Sequence, residues 1–270
     1  MLHIAGYKFI QLLDLVSLRD YFFECCKAED LKGTILLSEE GININLSGLE
    51  ANISAFKAVL RQRNDFADIT FRESCTPTQP YKRLKIKFKK EIITLRQPDV
   101  APLYTRAPSV TPEELKQWLD ESRDVLLVDT RNDYEIRFGT FAGALNLRIN
   151  NFGEFPDAIN DLDKEKPVVM FCTGGIRCEK AAIYMLNNGH EKVYQLDGGI
   201  LNYFAKVGGN HYDGECYVFD ERTALDCHLS SIGTKQCVKC QGPISLSEQQ
   251  MKTYIANLCA QCGVQNPNCF

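Results

Sequence analysis

The chain has 270 residues, a length that suits two or three domains. Its 44% hydrophobic and 24% charged residues are ordinary for a soluble globular protein. The net charge of −4 excludes nucleic-acid binding through an overall positive charge, so any such site has to be local. We find no secretory signal pattern and no apolar run of membrane-spanning length. We therefore expect a cytoplasmic protein without a membrane partner, whose twelve cysteines are reduced and serve catalysis, metal binding or packing.

Residues 1–96 predict a domain that mixes helices and strands. The predicted elements are, in order, a strand within residues 4–12, a helix over 17–29, strands over 33–37 and 42–46, a helix through Ile53, Phe56 and Leu60, and a strand over 68–73. Apolar and polar residues alternate strictly from Ile42 to Leu46, and a turn precedes them, which indicates a hairpin. The order βαββαβ is that of a ferredoxin-like α+β sandwich.

Residues 81–90 contain six basic residues and no acidic one. In a strand, four of them would share one face and the apolar residues the other. The four are Arg83, Lys85, Lys87 and Lys89, opposite Leu84, Ile86 and Phe88. The pattern fits an edge strand that lysines protect from aggregation. It equally fits a track for the phosphate backbone of RNA, and the sequence leaves both interpretations open.

Prolines mark residues 97–107 as a linker, and residues 108–212 predict a second domain. Thr111 is placed to cap a helix whose first residue is Pro112, with Glu114 completing a capping box. Buried strands are predicted over 125–128, 167–171 and 193–196, with helices before and between them. Strands that alternate with helices imply a largely parallel α/β sheet, whose ligand sites lie beyond the carboxyl ends of the strands.

A Gly-rich loop joins the predicted strand over 167–171 to a helix that ends near Gly189. The helix is indicated by a buried stripe at helical spacing, formed by Cys178, Ala181, Ala182, Met185 and Leu186. The loop begins with Cys172 and ends with Arg177, so the thiol would lie near the helix dipole, converging amides and a guanidinium. All three favour the nucleophilic thiolate. The alternative is a buried structural cysteine, which would leave the glycines and the arginine without a purpose.

This loop resembles the active-site loop of rhodanese-like domains, in which the cysteine carries sulfur as a persulfide. Four residues separate the cysteine from the arginine in that family, and the related phosphatases have one residue more. The four here are Thr173, Gly174, Gly175 and Ile176, so the loop is sized for sulfur. Similar signatures are Asp129-Thr130-Arg131 with Glu135, the turn 143–146, and Asp197-Gly198-Gly199. The resemblance covers about residues 108–212 and implies the rhodanese fold for that domain.

Three further residues near this loop each have two interpretations. Asp129 and Arg131 would support the loop beside Cys172 by ion pairing and hydrogen bonds, or they would form a purely structural salt bridge. Cys178 would be placed to resolve a sulfenate or persulfide on Cys172 as a disulfide. Its position on the buried helical stripe favours packing instead.

Cysteines crowd the last segment, residues 213–270, where the hydrophobic periodicity weakens. Two Cys-x-x-Cys pairs, eighteen residues apart, are formed by Cys237, Cys240, Cys259 and Cys262. That spacing is typical of a four-thiolate zinc site, and such a metal would stabilise a segment poor in core residues. The alternatives are a redox pair and a small module without metal. Cys216, Cys227 and Cys269 have no assigned role.

Nearly the whole chain resembles one bacterial family, the tRNA uridine hydroxylases built on a rhodanese domain. The resemblance is carried by residues 32–43, by residues 172–181 and by the cysteine-rich tail. It implies oxygen-dependent hydroxylation of the wobble uridine, position 34 of tRNA, to 5-hydroxyuridine, with molecular oxygen as co-substrate. The residues themselves leave two alternatives, a sulfurtransferase that uses a Cys172 persulfide and a non-catalytic RNA-binding protein. The histidines are scattered, so the sequence shows no two-histidine, one-carboxylate triad, and no Gly-x-Gly-x-x-Gly fingerprint for an organic cofactor occurs.

Overall fold

The computed structural model describes residues 1–264, so Cys269 lies outside the described part of the chain. The first domain is a five-stranded sheet covered on one face by two helices. Its elements are β1 (Leu2–Phe9), α1 (Leu15–Ala28), β2 (Lys32–Ser38), β3 (Gly41–Gly48), α2 (Glu50–Arg61), β4 (Arg72–Cys75) and β5 (Leu84–Phe88). The strands lie in the order β4-β1-β3-β2-β5. The predicted βαββαβ sandwich is confirmed, with β5 added at its edge.

Alternation along the strands gives this sheet two different faces. Three residues of β3 are fully buried against the helices: Ile42, Ile44 and Leu46. The opposite face, which carries no helix, presents Asn43 and Asn45 of the same strand. Tyr7 of β1 lies opposite Asn43 on that free face. A side-chain period of two separates an apolar face, which binds the helices, from a mixed polar face left for another partner.

One strand boundary differs from the prediction. β4 begins at Arg72, whereas the sequence predicts a strand over 68–73. The N–H of Ile69 donates to the carbonyl of Phe66 at 3.1 Å, and the Ile69 side chain is buried in the core. This turn occupies the residues that the apolar pattern assigns to the strand, so pairing with β1 starts later.

β5 is the predicted basic strand, and it pairs in parallel with β2 at the edge of the sheet. Leu84 and Ile86 pack against the core beneath α1. Lys85 and Lys87 are exposed on the other face, as the alternation predicts. Phe88 ends the strand 43% exposed, so the apolar face of this segment is only partly covered.

The second domain is built on a five-stranded sheet in which every neighbouring pair is parallel. Its elements are β6 (Ser109–Val110), α3 (Pro112–Asp120), β7 (Leu126–Asp129), α4 (Asp133–Ile136), β8 (Gly139–Phe141), β9 (Leu145–Asn146), α5 (Phe155–Ala158), β10 (Val168–Phe171), α6 (Ile176–Asn187), β11 (Val193–Leu196) and α7 (Gly199–Val207). The sheet order is β6-β11-β10-β7-β9, which places β10 at the centre. Thr111 and Glu114 form the predicted capping box of α3. The prediction of a parallel α/β domain is confirmed.

The remaining described residues form short elements around three two-stranded ladders, β12-β8, β13-β14 and β15-β16. They are β12 (Tyr212–Gly214), β13 (Cys216–Tyr217), β14 (Ala224–Leu225), β15 (Lys235–Gln236), β16 (Pro243–Ile244), α8 (Leu246–Gln249) and α9 (Ala260–Val264). β12 pairs with β8 of the second domain, which ties the two segments together. Among residues 1–264, no helix has the length and apolar character needed to cross a membrane.

Three polar contacts fix the first domain against α6. The Nζ of Lys180, a buried side chain, lies 2.8 Å from Glu40 in the β2–β3 turn and 2.6 Å from Glu91 after β5. The Tyr7 hydroxyl donates to the Glu179 carboxylate at 3.2 Å. The two stretches that carry the family resemblance therefore meet at the boundary between the domains.

Candidate active site

Cys172 lies at the carboxyl end of β10, at the start of the thiol loop (residues 172–177) that leads into α6. Its side chain is only 1% exposed. The N–H of Gly175 donates to Cys172 Sγ at 3.1 Å. Gly175 has a φ of +98°, a conformation that favours glycine, and this turn aims the loop amides at the sulfur.

The pKa of the Cys172 thiol is lowered to about 5. Burial by itself would raise this pKa, but the surrounding donors outweigh burial. Cys178 gives a side-chain hydrogen bond, the Arg177 guanidinium adds positive charge, and the amides of Arg177 and Gly175 donate to the sulfur. The site therefore holds a thiolate at neutral pH, which is the form that attacks electrophiles. The same donors are placed to stabilise negative charge on an atom bonded to that sulfur.

Cys178 lies in α6 and is both a core residue and a hydrogen-bond partner of Cys172. Burial raises the pKa of the Cys178 thiol well above its usual value, and the Cys172 thiolate raises it further. Thr130 Oγ1 lies 3.7 Å from Cys178 Sγ and donates to the Phe171 carbonyl at 3.0 Å. Cys178 thus remains a thiol that can donate, and Thr130 holds it beside the nucleophile.

The Arg177 guanidinium is held in one orientation by a two-pronged ion pair with Glu135. The nitrogen–oxygen distances are 2.7 and 2.8 Å, and both side chains are buried. Burial would raise the pKa of Glu135, but the charge of Arg177 keeps it lowered. Such fork-to-fork pairs fix geometry as well as charge, so Glu135 determines where the positive charge sits beside the thiolate.

Asp129 and Arg131 form a fully buried ion pair, with Arg131 Nη2 2.6 Å from Asp129 Oδ2. Their other hydrogen bonds run to β8, from Arg131 to the Gly139 carbonyl at 2.7 Å and from Thr140 to Asp129 at 2.8 Å. In the described part of the chain, no hydrogen bond joins this pair to the thiol loop. The pair braces the end of β7, and the charge of Arg131 acts on both Glu135 and Arg177.

The first turn of α7 closes the other side of the thiol loop. The N–H of Ile200 donates to the Cys172 carbonyl at 2.9 Å, and the N–H of Leu201 donates to the Thr173 carbonyl at 3.1 Å. A Cβ on Gly199 would lie 2.3 Å from the Cys172 carbonyl oxygen. Glycine is therefore required at this position, because only a bare backbone can approach the loop so closely.

A cavity of about 900 Å³ opens between the thiol loop and the free sheet face of the first domain. The loop side is lined by Cys172, Thr173, Gly174, Ile176 and Arg177. The sheet side is lined by Ala5, Tyr7, Thr34, Leu36, Asn43 and Asn45. Phe219, which is 62% exposed, contributes an aromatic ring to the same cavity. The reactive thiolate therefore faces a space between two domains rather than open solvent.

The basic strand continues the sheet face that lines this cavity. All four of its predicted RNA-binding residues are exposed: Arg83, Lys85, Lys87 and Lys89. The parallel register places Lys85 beside Thr34. It places Lys87 beside Leu36 in the next row. Since both β2 residues line the cavity, the two central lysines extend its wall outward as a positive rim.

The four cysteines predicted to bind metal come together in one cluster: Cys237, Cys240, Cys259 and Cys262. Their sulfur atoms all lie within 4.8 Å of one another, and two of them are 3.7 Å apart. Four thiolates around a tetrahedral zinc ion, each about 2.3 Å from it, lie about 3.8 Å apart, so the cluster fits such an ion. Arg137 donates to the Cys240 carbonyl at 2.7 Å, which ties the cluster to the second domain.

The sequence predicts no role for several residues that the structure places at the site. Glu135 is the partner of Arg177. The sequence offers only a general indication of this pairing, because any buried arginine needs an acidic partner. Lys180 has no comparable signal, since its partner Glu91 lies 89 residues away in another part of the fold. Arg72, Arg96 and Arg106 also line the cavity. The two other cysteines without a role are Cys216, which is buried, and Cys227, which is half-buried.

Two protein families match successive parts of the chain. Residues 1–92 match the UPF0176 acylphosphatase like domain, and residues 111–206 match the Rhodanese-like domain. A solved rhodanese-like domain protein from Staphylococcus aureus is 31% identical over 36% of this chain and 91% of its own, with a TM-score of 0.32. The central sheet and the thiol loop thus define a rhodanese-domain protein with an added acylphosphatase-like domain.

Curated relatives match along almost the full length. The tRNA uridine(34) hydroxylase of Cupriavidus necator is 49% identical over 97% of this chain and 96% of its own. The tRNA uridine(34) hydroxylase of Ralstonia nicotianae is 48% identical over the same shares. The chain belongs to the tRNA uridine(34) hydroxylase family.

Proposed function

We propose that this protein hydroxylates uridine 34 of tRNA to 5-hydroxyuridine, with molecular oxygen as co-substrate and a two-electron donor that reduces its second oxygen atom to water. The observation that carries the proposal is the Cys172 thiolate in the wall of an interdomain cavity. Enzymes that act on a base of a polynucleotide take that base out of its stack and into a pocket. A cavity of about 900 Å³ falls in the range that accommodates one nucleotide.

The two domains have separate tasks in this proposal. The second domain supplies the reacting sulfur, with Arg177 and the loop amides to stabilise negative charge on it. The first domain supplies the opposite wall of the cavity and, through Lys85 and Lys87, a positive rim for the phosphates of the RNA. A rhodanese domain alone would provide only the first of these. The union of both domains therefore favours an RNA substrate.

The proposal is tested by mass analysis of tRNA nucleosides from a strain that lacks the gene. The deletion should remove 5-hydroxyuridine and its derivatives from tRNA. A plasmid that encodes the wild-type protein should restore them, and one that encodes Cys172→Ser should not. An unchanged level of these nucleosides in the deletion strain would refute the proposal.

A sulfurtransferase that uses a Cys172 persulfide is the second candidate function. It is favoured by the loop itself, in which several donors converge on the cysteine sulfur and would hold a terminal sulfur atom equally well. This candidate leaves the cavity face of the first domain without a task. Formation of thiocyanate from thiosulfate and cyanide by the purified protein would support it, provided that Cys172→Ser abolishes the reaction.

We also propose that Cys237, Cys240, Cys259 and Cys262 hold one zinc ion. Four thiolates leave no open coordination position, so the metal would be structural and would stabilise the tail. Protein purified without chelator should contain one zinc per chain, and Cys259→Ser should lose the zinc and lower the melting temperature. The control is Cys75→Ser, because Cys75 is exposed and lies outside the cluster. A folded tail with almost no metal would contradict the assignment.

The basic strand is proposed to bind the RNA backbone. Changing Lys85, Lys87 and Lys89 together to serine should weaken tRNA binding. Binding is favoured by the counterions that leave each neutralised phosphate, and fewer would leave without these lysines. The slope of log affinity against log salt should fall by roughly 0.7–0.9 for each phosphate that is no longer neutralised. A matched control changes the same number of exposed lysines on the second domain to serine: Lys164, Lys192 and Lys206. If both triple variants keep the wild-type affinity and slope, β5 is only a protected edge strand.

A further inference from the structure

Two side-chain amides face the thiol loop across the cavity, Asn43 and Asn45 of β3. We propose that this amide pair binds the hydrogen-bonding edge of the uracil base on which Cys172 acts. The inference rests on the proposed function and adds to it the residues that recognise the base. It assigns a recognition task to the acylphosphatase-like domain, separate from the phosphate contacts of β5.

The hydrogen bonds of the pair leave it with one free donor group and one free acceptor. Asn45 Nδ2 donates to Asn43 Oδ1 at 3.0 Å, and within residues 1–264 neither amide makes another side-chain hydrogen bond. Asn43 Nδ2 is then free to donate, and Asn45 Oδ1 is free to accept. Uracil offers the complementary edge, an N3–H donor beside carbonyl acceptors. Because both amides are neutral, the pair suits a neutral base edge rather than a phosphate.

Tyr7 shows how far the sheet lies from the thiol loop beside the amide pair. It lies opposite Asn43 in the β1–β3 register, and its hydroxyl is 3.1 Å from the position of a Cβ on Gly175. A single tyrosine side chain therefore spans the gap from sheet to loop. The same gap has room for a base ring of similar length. The next row of the sheet face consists of three short side chains: Ala5, Asn45 and Thr34. The cavity is thus open beside Tyr7, next to the amides.

The amides are not needed to build the fold. The helices cover the other face of the sheet, where Ile42 and Ile44 supply the buried contacts of β3. Asn43 and Asn45 are each only half-buried. Replacing either one should therefore change the cavity without unfolding the domain, so a binding experiment can separate recognition from stability.

The experiment measures binding of anticodon stem–loop RNA to protein that carries Cys172→Ser, which prevents turnover. Two RNAs are compared, one with uracil at position 34 and one with an abasic site there. The parent protein should bind the uracil RNA about tenfold more tightly, and Asn43→Leu or Asn45→Leu should remove most of that preference, since each lost hydrogen bond is worth roughly a factor of two to ten. In the active enzyme, the same substitutions should lower kcat/KM by a similar factor, about two- to tenfold each.

The matched control is Asn64→Leu, which changes an exposed asparagine of the same domain outside the cavity and should keep the preference. Melting temperatures verify folding, and Asn43→Ala and Asn45→Ala replace any leucine variant that fails to fold. Equal affinity of the parent for both RNAs, or an unchanged preference in the amide variants, would overturn the proposal. If the preference depends on the amides but the wild-type enzyme makes no 5-hydroxyuridine, the base site stands and only the proposed function fails.

Discussion

Replacing Cys172 by alanine or serine is expected to abolish hydroxylation of tRNA while leaving the protein folded. Neither replacement provides a thiolate, and the loop donors stabilise charge only on a group that ionises near neutral pH. The substitutions change little volume at a buried position, so packing should be kept. The measurement is formation of 5-hydroxyuridine on unmodified tRNA by the purified variants, together with their melting temperatures.

Two further cysteine variants serve as controls for this result. Cys75→Ser removes an exposed thiol outside the lining of the cavity and should keep full activity. Cys178→Ala removes a hydrogen bond to Cys172, so it should raise the pKa of that thiol and slow the reaction without abolishing it. Activity above a few per cent of wild type in either Cys172 variant would contradict its assignment as the nucleophile. Complete loss in Cys178→Ala would instead indicate a disulfide step between the two thiols.

Removing the guanidinium of Arg177 should have the second-largest effect. In Arg177→Ala, the thiolate loses its nearest positive charge and the pKa of Cys172 should rise from about 5. The rate of alkylation is proportional to the fraction of Cys172 that is thiolate. On acidification, the variant should therefore lose its alkylation rate at a higher pH than the wild type does. Glu135 would also be left as a buried unpaired charge, which costs about 3–5 kcal/mol of stability. Arg123→Ala, which removes a surface arginine paired with Glu121, is the matched control.

A double variant separates the electrostatic effect from the loss of stability. Arg177→Met combined with Glu135→Leu removes both buried charges, so most of the melting temperature should return. The pKa of Cys172 should stay raised, because the positive charge is still missing. An alkylation profile that matches wild type in either variant would show that the amides and Cys178 alone hold the thiolate, and that Arg177 has another role.

The fold was predictable from sequence because its signals are local. Alternation from Ile42 to Leu46 defines both faces of β3, and the capping box at Thr111 defines the start of α3. The thiol loop was predictable for the same reason, since Cys172 and Arg177 are close in sequence and the glycines between them have few other uses. These features depend on neighbouring residues, and hydrophobic periodicity and turn chemistry describe such neighbours well.

The cavity was not predictable from sequence, because it forms between domains. Nothing in residues 32–43 indicates that Glu40 pairs with Lys180 or that the polar face of β3 turns toward the thiol loop. The direction of the lysines on β5 is a similar case. Alternation shows that Lys85 and Lys87 share a face, but only the pairing with β2 shows that this face continues the cavity wall. Contacts between residues far apart in the chain leave no pattern in one sequence.

A site built on Cys172 is proposed to insert an oxygen atom into uridine 34 of tRNA. The most direct test uses isotopically heavy oxygen gas. Purified protein and unmodified tRNA are incubated under that gas with a dithiol, which supplies the two electrons that reduce the second oxygen atom to water, and the nucleosides are analysed by mass spectrometry. We expect 5-hydroxyuridine that carries one heavy oxygen atom at position 34, and none with Cys172→Ser. A product that is unlabelled under heavy oxygen, or formed equally by the serine variant, would contradict the proposed reaction.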